Sequence, residues 1–184
     1  FEAVKTNILG AMNIVDAAID TGVKRVVALS TDKASSPVSL YGATKLVSDK
    51  VFVSGNAYAG SKPTRFSVVR YGNVMGSRGS VLPFFMHTAK DGTPLPITDE
   101  RMTRLMITIE QGVELVWTAL EDMVGGETYV RKIPSMRVTE IAEAVQPGQP
   151  WKVVGIRAGE KLHEQMIGVE DADFTYDYGD YYKI

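Results

Sequence analysis

The apolar residues of this chain alternate between helical spacing and short unbroken runs. A helix that ends at Gly22 is predicted by four apolar residues at helical spacing: Ile8, Met12, Val15 and Ile19. The run from Val26 to Leu29 then predicts a strand that is buried on both faces. The first 30 residues therefore predict a helix followed by a strand.

The same alternation continues along the rest of the chain. Helices are predicted over residues 40–59, from Pro83 onward, over 109–123 and over 138–145. Strands are predicted over residues 66–69, 95–98, 127–130 and 152–156. Alternating helices and strands favour a layered α/β fold with a parallel sheet.

Two segments carry more specific expectations. One face of the helix over 109–123 is predicted from its apolar residues, which are Ile109, Val113, Val116, Trp117, Leu120 and Met123. The tail from Glu170 to Asp180 holds five acids and no base, so a solvated edge or a loose end is predicted there.

Composition narrows the function classes. The chain has 184 residues, of which 45% are hydrophobic, so it can bury a core. Its formal net charge of -2 gives no basic field for nucleic acid. It has no cysteine, which is consistent with a cytoplasmic location, and no apolar run approaches a membrane span of about 20 residues. Because the chain begins at Phe1, without Met, a segment of a longer protein is expected.

Polar clusters follow two of the predicted strands. Ser30 to Lys33 ends one strand, and Tyr71 to Arg78 follows the next. In open α/β sheets, binding sites lie beyond the carboxyl ends of the strands. Both clusters are therefore candidate site segments.

Tyr41 and Lys45 form a Tyr-x-x-x-Lys pair that shares one face of a predicted helix. A nearby ammonium favours the phenolate, so Tyr41 could take a proton from a substrate hydroxyl while hydride leaves the same carbon. The hydride acceptor would be a nicotinamide cofactor. The alternative is an ordinary surface tyrosine and lysine on an amphipathic helix.

Asp32 and Lys33 add an acid and a second base to the end of the first strand. In an apolar cleft, such a lysine can act as a base and the aspartic acid as a proton donor. The alternative is a solvated ion pair in a turn.

Arginines in turn-rich segments are candidate phosphate ligands, because a guanidinium matches phosphate oxygens. They are Arg78, Arg101, Arg104 and Arg157. The alternative for each is a surface arginine. No metal site is predicted, since His163 has no partner at metal-binding spacing and His87 is the only other histidine.

Together these residues resemble a known family. The Ser30-Thr31 and Tyr41-x-x-x-Lys45 pattern resembles the active site of the extended short-chain dehydrogenase/reductases. Four segments narrow the resemblance to the inverting UDP-N-acetylglucosamine 4,6-dehydratases of the pseudaminic-acid type: LSTDKASSPVSLYGATKLVSDK, VRYGNVMGSRGSVLPFF, ITDERMTRLMIT and GIRAGEKLHE.

The resemblance implies a mechanism. Tyr41, activated by Lys45, would deprotonate the sugar 4-hydroxyl as hydride passes to the cofactor. Lys33 would then remove the proton on carbon 5, and Asp32 would protonate the departing 6-hydroxyl. Hydride would return to carbon 6, with reprotonation of carbon 5 on the opposite face. Thr31 would hydrogen-bond near the 4-hydroxyl.

The resemblance also implies the ligands and their residues. The cofactor would be NADP, with NAD possible, held by Ser30, Tyr41, Lys45 and Tyr71. The substrate would be UDP-N-acetylglucosamine, held by Lys33, Asn73, Val74, Arg78, Gly79, Ser80, Val81, Leu82, Pro83, Thr98, Arg157 and Glu160. A homo-oligomer is expected, in which the apolar faces of the helices of Asn7 and Tyr41 could pack against a second copy. The alternative is that the chain itself covers these faces.

The implied architecture is a Rossmann-like doubly wound parallel sheet whose N-terminal part is missing, with a small C-terminal substrate-binding α/β portion. Residues 1–75 would be the second half of the dinucleotide-binding domain. Residues 76–184 would mainly bind substrate, with interleaved Rossmann elements. The Gly-rich dinucleotide fingerprint of the family does not occur ahead of the first helix. A nucleotide-sugar 4-epimerase and an inactive UDP-sugar-binding fragment remain alternatives.

Overall fold

The computed structural model describes residues 1–184 as an α/β chain. It forms two compact units. The first unit consists of Phe1–Tyr71, Glu110–Lys132 and Gln165–Ile184. The second consists of Gly72–Ile109 and Ile133–Glu164. That these units bind dinucleotide and substrate respectively, as the division near residue 75 implies, stays a prediction.

The helices are α1 (Glu2–Val4), α2 (Gly10–Thr21), α3 (Leu40–Ala59), α4 (Val81–Lys90), α5 (Ile109–Asp122), α6 (Val138–Val145) and α7 (Val169–Ala172). A π-helical turn (Lys5–Leu9) joins α1 to α2, and a 3-10 turn covers Asp32–Ala34. The strands are β1 (Arg25–Thr31), β2 (Arg65–Tyr71), β3 (Asn73–Val74), β4 (Leu95–Ile97), β5 (Thr103–Ile107), β6 (Thr128–Arg131), β7 (Ser135–Arg137), β8 (Trp151–Val153), β9 (Tyr176–Asp177) and β10 (Tyr181–Lys183).

Most predicted elements are confirmed. Helix α2 ends at Gly22, which takes a left-handed conformation with φ of 71°. Helices α3 and α6 have the predicted bounds, and Pro83 lies in the first turn of α4. Strand β8 begins one residue before its predicted segment and is shorter than predicted.

The main sheet lies in the first unit, with strand order β1-β2-β6-β10-β9. Strands β1, β2 and β6 are parallel, with Leu29 opposite Val69 and Thr31 opposite Tyr71. Alternate residues of β2 point to opposite faces. Phe66 and Val68 pack with α2 and α3, whereas Val69 packs with α5. The sheet is therefore covered by helices on both faces, as a doubly wound fold requires.

One prediction of burial was wrong, and a second was confirmed only in part. Strand β1 is not buried on both faces: Leu29 is 51% exposed, because β1 lies at the sheet edge with β2 as its only neighbour. Helix α5 buries Gly112, Leu115 and Ala119. Of the predicted face, Met123 is buried and Val116 packs against the core, whereas Ile109, Val113 and Trp117 are exposed.

The acidic tail is a solvated edge, which was one of the two predicted alternatives: β9 is the edge strand of the main sheet, and both of its residues are exposed. Strands β9 and β10 add antiparallel to β6. The ring of Tyr178 stacks on that of Tyr181 with centroids 5.6 Å apart, and the Lys183 ammonium lies 4.2 Å from the Tyr178 ring centroid. Asp177 pairs with Lys132 at 2.7 Å. Aromatic and charge contacts between distant segments thus hold the acidic tail in the sheet.

The second unit has small sheets around its own core. Strand order is β3-β5-β7 in one sheet and β4-β8 in the other. Phe85, Leu95, Ile97 and Ile141 are among the buried residues that pack between these sheets, α4 and α6. No helix in either unit is long and apolar enough to cross a membrane.

Candidate active site

The end of β1 forms a hydrogen-bonded turn. The Thr31 side chain accepts a bond from the Lys33 backbone N–H (3.3 Å) and donates one to Asp32 Oδ1 (2.9 Å). Lys33 Nζ lies 3.0 Å from the same Asp32 oxygen. The structure therefore brings the predicted residues Thr31, Asp32 and Lys33 into one connected group.

The side chains of Asp32 and Lys33 differ in their exposure to solvent. The Asp32 side chain has 0% exposure, and its Oδ2 has no hydrogen-bond partner. The Lys33 side chain is 36% exposed. The acid is thus enclosed, while its lysine partner extends toward solvent.

Helix α3 carries the predicted pair Tyr41 and Lys45. Ser39 caps the helix by accepting a bond from Gly42 N–H at 3.1 Å, which places Tyr41 in the first turn. Tyr41 is 48% exposed. Lys45, one turn later, donates from Nζ to the Leu29 carbonyl at 2.7 Å. Tyr41 can reach a ligand, and Lys45 bridges α3 to β1.

Burial and nearby charges shift the pKa values of Lys45 and of Tyr71, a neighbour of Tyr41. Burial lowers the pKa of Lys45, and the Asp49 carboxylate opposes this shift. Burial raises the pKa of Tyr71, and the charge of Tyr41 adds to that rise. Tyr71 at the end of β2 is therefore electrostatically coupled to Tyr41, consistent with its predicted place in the site.

Ser30 is placed differently from its neighbours. It is buried, and its hydroxyl donates to Asp49 Oδ2 at 2.6 Å. Its side chain therefore bonds α3, and its predicted contact with a cofactor stays a prediction.

Gly42 allows the turn Asp32–Ala34 to lie against α3. A Cβ atom at this position would overlap the Lys33 carbonyl oxygen and would come within 3.1 Å of Pro37 Cβ. The backbone of Lys33 therefore lies directly against the first turn of α3, which contains Tyr41, because residue 42 has no side chain.

Gly42→Ala is expected to destabilise the fold by about 1–3 kcal/mol, because the turn must shift to relieve the overlap. Thermal or denaturant unfolding measures this effect. Gly112→Ala is the matched control, since a Cβ there meets nothing within 4 Å. It should be neutral or stabilising by about 1 kcal/mol, as expected for Gly to Ala within a helix. Equal effects of the two substitutions would contradict the packing argument.

The second unit contains a cleft of about 410 Å³. Seven residues predicted to bind substrate line it: Asn73, Gly79, Ser80, Val81, Thr98, Arg157 and Glu160. The other predicted residues of this segment, Val74, Arg78, Leu82 and Pro83, do not line it. Most of the residues predicted in this unit thus share one cavity.

The four candidate arginines have different surroundings. Arg101 is held by Asp99 through two bonds of 3.0 and 2.8 Å and is exposed. Arg104 and Arg157 both line the cleft. Arg104 Nη1 donates to the Thr103 carbonyl at 2.8 Å and also to the carbonyls of residues 161 and 162. The cleft therefore holds two guanidinium groups.

The site residues predicted from the sequence omit part of the cleft wall. Arg104 was a candidate phosphate ligand only as one arginine among four. Phe84, Phe85, Pro96, Met102 and Val138 also line the cleft and carry no sequence signal beyond their apolar character. Their position depends on the packing of α4, β4 and α6.

A family model described as polysaccharide biosynthesis protein matches residues 1–184. The chain is 56% identical over 184 residues to a UDP-N-acetylglucosamine 4,6-dehydratase (inverting) of Campylobacter jejuni serotype O:2, covering 100% of this chain and 55% of the relative. It is 41% identical over 187 residues to a UDP-glucose 4-epimerase of Rickettsia canadensis, with the same two coverages. The chain thus spans about half the length of these curated relatives.

Solved structures agree on the fold. The X-ray structure of Pen from Bacillus thuringiensis matches with a TM-score of 0.93 and 37% identity, covering 100% of this chain and 60% of that chain. The dTDP-glucose 4,6-dehydratase DesIV from Streptomyces venezuelae matches with a TM-score of 0.78 over 92% of this chain and 59% of that chain. At 23% identity, DesIV supports the fold alone. The chain therefore belongs to the polysaccharide biosynthesis protein family and has its Rossmann-like α/β fold.

Proposed function

We propose that the protein containing this chain is a lyase that removes water from UDP-N-acetylglucosamine to give a 4-keto-6-deoxy sugar, with inversion at carbon 5. The observation that carries the proposal is the Asp32–Lys33 pair, in a turn that lies against the first turn of α3, which contains Tyr41. An acid and a base beyond the Tyr-Lys pair are what a dehydration needs and an epimerisation does not. The 56% identity to a dehydratase over the whole chain supports the same assignment.

Tyr41 and Lys45 are the residues of this chain that fit a nicotinamide cofactor. The exposed phenol and the half-buried ammonium can meet a ribose and a sugar hydroxyl from one helix face. We propose NADP, with NAD as the alternative. When bound, the cofactor supplies the acceptor and the later donor of hydride.

Proton transfers belong to the protein's own residues. Tyr41 takes the proton of the 4-hydroxyl. With the hydride of carbon 4 passed to the cofactor, carbon 4 would be a ketone, and the proton on carbon 5 would become acidic. Lys33 removes that proton, and Asp32 gives a proton to the 6-hydroxyl, which departs as water. A proton returns to carbon 5 when hydride reaches carbon 6.

The Asp32–Lys33 hydrogen bond supplies both required groups. An ammonium and a carboxylate can perform neither step, because the base would already hold a proton and the acid would hold none. Transfer of one proton along the 3.0 Å bond from Nζ to Oδ1 converts the pair into an amine and a carboxylic acid.

Product analysis in deuterium oxide tests the proposal. NMR of the sugar product should show a 4-keto-6-deoxy sugar with deuterium at carbon 5 and inverted configuration. A 4-epimer that keeps its 6-hydroxyl and has no deuterium at carbon 5 would establish the epimerase instead. The epimerase alternative is supported by the 41% identity to the UDP-glucose 4-epimerase of Rickettsia canadensis.

We propose that the second-unit cleft binds the UDP moiety, with Arg157 on the diphosphate. Arg157→Gln should raise the Kd for UDP about tenfold or more, because a charge-assisted hydrogen bond is lost. Calorimetric titration measures this, and Arg101→Gln is the control because Asp99 already holds that guanidinium. If both substitutions weaken UDP binding equally, Arg157 does not bind the diphosphate. UDP binding without NADP binding in a catalytically inactive chain would favour the substrate-binding fragment.

We also propose a homo-oligomer formed through α2 and α3, as expected from the sequence. Met12, Val51 and Tyr58 line a groove of about 680 Å³ on these helices, and Tyr58 is largely exposed. Tyr58→Lys should shift the sedimentation coefficient to that of a smaller species. Tyr176→Lys, at an exposed tyrosine of β9, should leave it unchanged. A cytoplasmic location stays a prediction.

A further inference from the structure

A buried charged cluster lies behind the proposed catalytic residues. Asp49 of α3 and Arg70 of β2 each have side chains that are only 4% exposed. Arg70 Nη2 lies 3.4 Å from Asp49 Oδ2, and the same oxygen accepts the Ser30 hydroxyl bond at 2.6 Å. Arg70 Nη1 donates to the Met166 carbonyl at 2.8 Å and lies 3.4 Å from Asp171 Oδ2. The cluster therefore joins α3, β1, β2 and the segment around α7.

This cluster is poorly suited to stabilise the fold. Asp49 Oδ1 and Arg70 Nε are buried without a hydrogen-bond partner. Burial raises the pKa of Asp49, so the carboxylate is held at an energetic cost. Replacing a buried ion pair by apolar residues of similar volume is often neutral or stabilising. Stability alone does not explain why charges occupy these positions.

The position of the cluster offers an explanation. Asp49 follows Lys45 by one helical turn, so the two side chains lie on one face of α3. Lys45 bonds the Leu29 carbonyl, and Asp49 bonds the Ser30 hydroxyl. These two bonds tie α3 to adjacent residues at the end of β1, immediately before Thr31. Arg70 lies immediately before Tyr71 on the neighbouring strand.

We propose that Asp49, together with Arg70, positions the catalytic pair by holding α3 in register with the ends of β1 and β2 and by giving Lys45 its counter-charge. This inference rests on the proposed function, because it concerns the proton transfer at Tyr41. Asp49 does not touch the reacting atoms. It acts through Lys45 and Ser30.

The negative charge of Asp49 beside Lys45 predicts how turnover depends on pH. The charged groups that face Asp49 are Lys45 on its own helix and Arg70 on β2, with Asp171 of α7 beyond Arg70. The π-helical turn beside Lys45 contributes Thr6 and Asn7, which are uncharged, to the same groove. Burial lowers the pKa of Lys45 and Asp49 raises it. Without the Asp49 charge, the pKa of Lys45 falls further, so Lys45 loses its proton at a lower pH. Because turnover needs the Lys45 ammonium, activity should then decline at a lower pH in the alkaline range.

Two variants of the full protein test the proposal in steady-state kinetics with UDP-N-acetylglucosamine. The double variant Asp49→Leu with Arg70→Met replaces both charges by apolar groups. It should keep its melting temperature within a few degrees, lower kcat at least about tenfold and change KM little. Asp49→Asn keeps an acceptor for Ser30 but removes the charge. Its alkaline limb of kcat should move down by about one pH unit.

The controls separate the possible causes. Asp20→Asn, an exposed carboxylate on α2, should leave the pH profile unchanged. A folded double variant with parental kcat and an unchanged alkaline limb in Asp49→Asn would show that the cluster is only structural. If the double variant does not fold, the pH profile of Asp49→Asn alone decides, and an unshifted limb overturns the proposal. A parent protein without dehydratase activity would instead refute the proposed function, before any variant is compared.

Discussion

Lys33→Met is expected to slow water loss from the UDP-sugar by about 10²–10⁴-fold. The methionine side chain has a similar length but cannot accept the carbon 5 proton. Oxidation at carbon 4 should continue, because Tyr41 and Lys45 are unchanged. Product NMR measures the loss of the 4-keto-6-deoxy sugar, and the absorbance of reduced nicotinamide in single-turnover experiments follows the oxidation.

Lys62→Met is the matched control for this prediction. Lys62 is an exposed lysine that pairs with Asp20 at 3.6 Å. It should leave both readouts unchanged. If Lys33→Met dehydrates its substrate at the parental rate, Lys33 is not the base and the Asp32–Lys33 pair no longer distinguishes a dehydratase from an epimerase.

Tyr41→Phe is expected to lower turnover by about 10²–10⁴-fold and to suppress oxidation at carbon 4 as well. The ring stays in the first turn of α3, but no oxygen remains to take the 4-hydroxyl proton. Neither the product nor reduced nicotinamide should then accumulate. The two variants therefore fail at different steps, which places Tyr41 before Lys33 in the sequence of events.

Tyr58→Phe controls for the chemistry of this substitution. It removes the same oxygen from the same helix, at a largely exposed position far along α3. Turnover should stay at the parental level. Formation of reduced nicotinamide by Tyr41→Phe at the parental rate would assign the first proton transfer to another residue.

The structure also explains why these groups can work together within the first unit. Asp32 is enclosed, Lys33 reaches solvent, and Tyr41 is exposed in the first turn of α3. Because residue 42 is a glycine, the turn Asp32–Ala34 can lie directly against α3.

The sequence by itself determined the local features of this protein. The bounds of α3, the end of α2 at Gly22 and the pairing of Tyr41 with Lys45 all depend on residues within one or two helical turns. Spacing and capping report such neighbours directly. The four quoted segments also predicted the family that the comparisons confirm.

Only the tertiary structure decided the contacts between distant residues. Asp49 pairs with Arg70, Arg104 joins the cleft wall, and the acidic tail pairs with β6 as strands. Helix α5 buries Met123 of its predicted apolar face but leaves Trp117 exposed. These outcomes depend on which surfaces meet when helices pack on the sheet. A one-dimensional pattern shows that a face is apolar or charged but does not show what covers it.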